Sequence, residues 1–141
     1  MTASIRDATT DLEVLRCFPV MRELRTDLVK EEFLPRIRRQ QETGYQLAYL
    51  EESGSVRAVA GYRLLENLYS GRVLYVDDLV TSPAVRSAGY GGQLFDWLVE
   101  RARAEGCRTL ELDSGVQRFD AHRFYLVRRM SIVSHHFRLV L

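Results

Sequence analysis

The stretch from Leu74 to Gly92 limits what this chain can fold into more than any other part of it. Val73, Leu74, Tyr75, Val76, Leu79 and Val80 are the β-branched, aromatic and aliphatic residues that a pleated surface favours, so a strand is expected. Pro83 ends it, because proline has no N–H to give a ladder. Gly89, Gly91 and Gly92 follow, and behind them Leu94, Phe95, Leu98, Val99 and Ala102 recur at helical spacing. Glycines at a helix entrance let the backbone turn sharply and approach a ligand closely. The helix start adds unpaired N–H groups and a positive dipole end, so the place suits an anion such as pyrophosphate. Arg86, just upstream, brings a fixed fork of donors for a second phosphate oxygen.

Two familiar phosphate-binding patterns fail here. A dinucleotide fingerprint needs Gly-x-Gly-x-x-Gly in a tight turn off the strand, with an acidic residue about 20 residues on. Gly89, Gly91 and Asp113 fit it, but Leu94 stands where the third glycine belongs and the connection from Thr81 to Ala88 is too long. A P-loop is excluded, since no Gly-Lys-Ser/Thr follows the glycines. The arrangement that does match is Arg86-x-x-Gly89-x-Gly91 between a strand and a helix. It resembles motif A of the GCN5-related N-acetyltransferases, the GNAT family, whose pattern is Arg/Gln-x-x-Gly-x-Gly/Ala.

With 141 residues the chain is expected to form a single domain, residues 1–141. A net charge of +1 makes no electrostatic case for a nucleic-acid or anionic membrane partner. No apolar run reaches membrane-spanning length, and Met1 to Asp11 lacks the apolar core of a signal peptide, so a cytoplasmic location is expected. Cys17 and Cys107 have no metal-ligand spacing and read as two free thiols, with a disulfide as the alternative. No metal site is expected.

In chain order, Ser4 to Ala8 reads as a short strand. Thr9, Thr10 and Asp11 are capping residues for a helix whose Leu12, Leu15, Val20 and Leu24 form an apolar stripe. A second helix covers Lys30 to Gln41, stopped by Gly44. Strands at Tyr45 to Leu50 and Val56 to Leu65 make a hairpin, and the strand before Pro83 is the third of an antiparallel run. After the helix behind Gly91, Thr109 to Asp113 is a strand that should lie parallel to the one before the glycines. Arg118 to Arg128 reads as a helix with Ala121, Phe124 and Tyr125 on its inner side, and Ser131 to Leu141 as a closing strand. The fold class is therefore α/β (α+β), a mixed, mostly antiparallel sheet with helices on both faces in the order β-α-α-β-β-β-α-β-α-β.

That order resembles the GNAT family along essentially the whole chain, and a second motif strengthens the likeness. The family carries Asn-x-x-Ala-x-x-Phe-Tyr in its last helix, followed shortly by Gly-Phe. Ala121, Phe124 and Tyr125 match, Arg118 replaces the Asn, and Arg129 and Met130 replace Gly and Phe. The resemblance implies transfer of an acetyl group from the sulfur of acetyl-CoA to an amine by direct attack. The alternative is a non-catalytic acyl-CoA-binding or regulatory module of the same fold.

The resemblance also implies the roles. Leu79, Val80 and Thr81 would pair with the pantetheine arm, with the Val80 N–H donating to the thioester oxygen. Backbone amides of Arg86, Ser87, Ala88, Gly89, Tyr90 and Gly91, with Gly92 beside them, would hold the pyrophosphate. Tyr125 would protonate the departing thiolate; an ordinary phenol pKa of about 10 suits that transfer. For deprotonating the amine, Asp78 is the first candidate and Asp77 the second, since strand alternation points them to opposite faces unless a bulge resets the parity. His122, one helical turn before Tyr125, is a weaker candidate. His135 and His136 would face opposite ways, which argues against a shared metal. The acceptor is a small-molecule or peptide amine that the sequence does not specify further, and a homodimer built on the closing strand is a family-level expectation.

Overall fold

The computed structural model describes residues 3–141, with Ser87 described by its backbone alone. The chain forms two compact units, a larger one ending at Glu111 and a smaller one from Leu112 to Leu141. The larger unit holds β1 (Ser4–Asp7), α1 (Asp11–Arg16), α2 (Phe18–Leu24), α3 (Lys30–Gln41), β2 (Tyr45–Glu52), β3 (Ser55–Asn67), β4 (Gly71–Thr81), a 3-10 turn (Pro83–Ala88) and α4 (Tyr90–Ala104). β5 (Thr109–Leu112) completes a five-stranded sheet in the order β1-β2-β3-β4-β5. The first four strands are antiparallel neighbours.

The expected first helix is broken in two. Pro19 has no N–H to bond back into a continuing helix, so the chain stops at Arg16 and restarts at Phe18. The break also moves the buried stripe. Leu12 and Leu15 are exposed, while Val14, Cys17, Phe18, Val20 and Met21 are buried. These residues, with Phe33 and Ile37 of α3, cover the sheet face that carries Tyr45, Leu47, Tyr49 and Val59. Tyr62, of opposite parity on β3, instead meets Trp97 of α4 at a ring separation of 6.1 Å. Leu94, Phe95 and Leu98 bury α4 against that second face. Cys17 and Cys107 are free thiols. Burial of Cys17 raises its thiol pKa to about 12, so it packs as a small apolar group.

In the smaller unit α5 (Phe119–Val127) forms where a helix was expected. Ala121, Phe124 and Tyr125 on it are half-buried rather than buried. Residues 131–141, expected as a closing strand, have no regular secondary structure and are exposed, with Phe137 90% and Leu139 83% accessible. A lone extended segment has no ladder to hold it as a strand. No helix among the described residues is long and apolar enough to cross a membrane.

The start of α1 is a capping box. The Thr10 side chain accepts from the Glu13 N–H at 3.1 Å, and Glu13 Oε1 accepts from the backbone N–H groups of Thr10 at 2.9 Å and Thr9 at 3.0 Å. Those amides hold the Glu13 carboxyl at about 2 against an ordinary 4.5. A depressed carboxylate pKa means that the unfolded chain takes up the proton first as pH falls. The contribution to stability is therefore complete above pH 4.5 and lost on the way down to about 2. Denaturant titrations from pH 6 to about 2 should show a shallower acid loss for Glu13→Gln than for the parent chain.

Candidate active site

The β3–β4 ladder builds the centre of the site. Its register runs Val59 opposite Val80, Ala60 opposite Leu79 and Gly61 opposite Asp78, then skips so that Tyr62 faces Val76. Asp77 is the extra residue of a β-bulge. The bulge cancels the expected alternation, and both carboxylates line one cavity of about 650 Å³ in the larger unit. Met21, Leu24, Phe33 and Ile37 provide its apolar wall, and Tyr45 lies beside the aspartates.

Each aspartate is held by an arginine. Asp78 Oδ1 accepts from Arg25 Nε at 2.8 Å and Asp78 Oδ2 from the Tyr45 hydroxyl at 2.9 Å. Asp77 Oδ2 accepts from Arg63 Nε at 2.9 Å, and the same guanidinium donates to Gln40 Oε1 at 2.8 Å. Burial raises the Asp77 carboxyl pKa, with Arg63 opposing the shift. Burial, and then the charge of Asp78, push the Tyr45 phenol well above its ordinary value, so it stays a neutral donor. Gly61 makes this packing possible: a Cβ there would strike the Tyr45 hydroxyl and crowd Asp78 Oδ2.

The second part lies at the end of β4. Ser82 N–H donates to the Arg57 carbonyl at 2.8 Å, which continues the register of Val80 with Val59. Antiparallel ladders alternate, so the Val80 amide faces β3, while the amides of Leu79 and Thr81 face the other edge. β5 starts where Arg108 N–H donates to the Arg72 carbonyl at 2.8 Å and is only four residues long, so β4 outruns it there. The Val80 side chain is buried among the residues of α1, α2 and α3.

Beyond the edge, the turn from Pro83 to Ala88 leads into α4. Gly89 caps α4 at φ +83°, a left-handed conformation that side chains disfavour. Tyr90, Gly91 and Gly92 are its first three residues, and their N–H groups have no acceptor within the helix. A Cβ on Gly91 would lie 2.9 Å from Thr81 Oγ1, so strand end and helix start approach as closely as glycine permits. The Tyr90 hydroxyl donates to Glu52 Oε1 at 2.6 Å, which pins the helix start to β2. Arg86 is exposed beside this cradle. The bare amides and tight approach fit an extended anionic ligand such as coenzyme A.

Within the smaller unit, burial raises the Tyr125 phenol pKa, and Arg118 opposes the shift by its charge and a hydrogen bond. Arg118 stands at the motif position where asparagine was expected. His122 Nε2 lies 2.7 Å from the Gly115 carbonyl and must carry a proton there to make that bond. His136 Nδ1 lies 3.6 Å from Asp113 Oδ2. No group of three metal-ligating side chains occurs among the described residues.

The structure sets Asp77 and Asp78 against Arg25, Arg63, Gln40 and Tyr45, none of which sequence reasoning singled out. They come from four separate elements and join no motif. The nearest signal was Gly61, a glycine inside a strand pattern, which often marks a bulge or a close approach.

Comparison with known proteins gives the family. The family model described as Acetyltransferase (GNAT) family matches residues 10–129. The uncharacterized N-acetyltransferase YhdJ of Bacillus subtilis is 38% identical over 122 residues, 86% of this chain and 86% of that protein. The aminoalkylphosphonate N-acetyltransferase of Salmonella typhimurium is 41% identical over 63 residues, 45% of this chain and 40% of that one. The aminoglycoside N-acetyltransferase AAC(6′)-Iy, solved with CoA, superposes with a TM-score of 0.87 at 12% identity over 99% of this chain and 95% of its own. The fold and the site define an acyl-transfer enzyme, an N-acetyltransferase. This chain belongs to the acetyltransferase (GNAT) family.

Gly61→Ala should force the Tyr45 hydroxyl off Asp78 and destabilise the chain by about 1–3 kcal/mol, the usual range for overpacking, as read by denaturant unfolding. An added Tyr45→Phe change, which removes the struck oxygen, should recover part of that loss.

Proposed function

We propose that the chain transfers an acetyl group from acetyl-CoA to a small-molecule amine bound in the cavity over Asp77 and Asp78. The observation that carries this is the adjacency along β4: the paired carboxylates stand at Asp77 and Asp78, and the uncovered edge and glycine cradle begin at Leu79. The amides of Arg86 to Gly91 and the Arg86 guanidinium bind the pyrophosphate, and the edge from Leu79 to Thr81 pairs with the pantetheine arm. The ladder parity supports Leu79 instead of Val80 as donor to the thioester oxygen. Leu79 follows the bulge directly, whereas Thr81 belongs to the cradle.

The amine arrives as an ammonium, and the carboxylate pair draws it in. Asp78 has both oxygens engaged and acts as the anchor. Asp77, with a raised proton affinity and only Oδ2 engaged among the described residues, is the better proton acceptor, directly or through water. The freed amine attacks the thioester carbon, an N–C bond forms, the C–S bond breaks, and the remaining surplus proton on the nitrogen passes through water to the solvent or to the Tyr125 phenolate. Tyr125, by its place in the Ala-x-x-Phe-Tyr motif, gives the thiolate its proton, and Arg118 steadies the phenolate left behind. His122, engaged with Gly115, is a support for α5 on this reading. The family match spans both compact units, which supports one acetyltransferase domain over residues 1–141. The two free thiols fit a reducing, cytoplasmic setting.

Release of CoA thiol, followed with an amine panel, tests this reading. Tyr125→Phe should lower kcat about a hundredfold, the common scale for loss of a general acid. Asp77→Asn should act chiefly on kcat and Asp78→Asn chiefly on KM. Acetyl-CoA binding with no turnover of any amine, and no change in Tyr125→Phe, would favour the non-catalytic module.

A homodimer is the second proposal, with residues 131–141 as its contact. Alternation along that segment sets Val133, Phe137, Leu139 and Leu141 on one side, all exposed in the single chain. Sedimentation should show a dimer for the parent chain and a monomer for the double variant Phe137→Glu, Leu139→Glu.

A further inference from the structure

The charges lining the cavity are not all paired. Arg25 is closed onto Asp78 and Arg63 onto Asp77, so neither guanidinium is free for a ligand anion. Arg36 also lines the cavity, and it has no ion pair or hydrogen bond among the described residues. It lies on α3 one turn after Phe33 and one turn before Gln40, the cavity-facing residues of that helix. An unpartnered cation thus stands in the same cavity as the carboxylate pair.

We propose that the acceptor is a small zwitterion: an amine that also carries a carboxylate or a phosphonate, with the anion held by Arg36 and the ammonium at Asp77 and Asp78. This rests on the reading of the cavity as the acceptor site. A volume of about 650 Å³ admits such a molecule whole. A zwitterion engages Arg36 and the aspartate pair together, whereas a neutral amine would leave that guanidinium without a partner. A guanidinium forms paired hydrogen bonds to either carboxylate or phosphonate oxygens, so the geometry selects the anion and not its kind. Asp27, on the connection between α2 and α3, is the one lining acid without a partner among the described residues. It is the group that a diamine would use instead.

The experiment compares four acceptors of similar length on the full chain with acetyl-CoA: β-alanine, 2-aminoethylphosphonate, propylamine and 1,3-diaminopropane. One of the first two should exceed propylamine in kcat/KM by about tenfold or more, the scale of one charge-assisted contact, and which of them leads separates carboxylate from phosphonate. Arg36→Gln should bring that ratio close to one through KM. Equal or better turnover of propylamine or 1,3-diaminopropane overturns the inference and leaves the acetyltransferase reading intact, as does an unchanged ratio in Arg36→Gln. If no amine turns over, calorimetry on CoA-saturated protein decides. Heat with an anionic amine that Arg36→Gln abolishes supports the inference, and its absence overturns it. A failure of acetyl-CoA itself to bind sinks the functional reading instead.

Discussion

The bulge in β4 opposite Gly61 is the constraint on which the candidate site depends. A regular strand would send Asp77 and Asp78 to opposite faces, one beneath α4 and one beneath the helices α1 to α3. With one residue added to β4, both carboxylates meet the same cavity, each against its own arginine. Two neighbouring anions repel, and half-burial adds a desolvation cost, so the pair persists only because Arg25, Arg63 and Tyr45 satisfy it. The ladder regains its register immediately afterwards, which aims the amides of Leu79 and Thr81 away from β3.

From that edge to α4 the chain spends its glycines. Gly89 supplies a left-handed turn, and Gly91 lets the helix start sit against Thr81. The two halves of the site therefore follow one another along a few residues of backbone. A carboxylate pair, a free strand edge and a ring of bare amides occur in the order in which an amine, a thioester and a diphosphate would lie. The side-chain chemistry is concentrated at the acceptor end, and the other end is almost wholly backbone.

Much of this was legible in the chain. The Arg86-x-x-Gly89-x-Gly91 motif marked the cradle because backbone amides need only a glycine-rich turn and a helix start, both local properties. Lys30 to Gln41 was readable as a helix to its ends for the same reason. The first helix was not, since Leu12 and Leu15 suggested a stripe whose true face was set by the break at Pro19 and by what the sheet left to cover. Residues 131–141 alternate like a strand, yet strand formation is a property of two segments and the single chain supplies only one.

Local spacing, then, determined the family and marked the glycines and the two aspartates as candidates, because a motif is a pattern of residues a few positions apart. Tertiary structure alone decided which way the aspartates face, which arginines neutralise them and which is left open to a ligand. Arg25, Arg36 and Tyr45 are brought to one cavity, and Arg63 to Asp77 in its lining, by helices and strands far apart in the chain. Nothing in their immediate neighbours encodes that meeting, since it follows from how the whole sheet is covered.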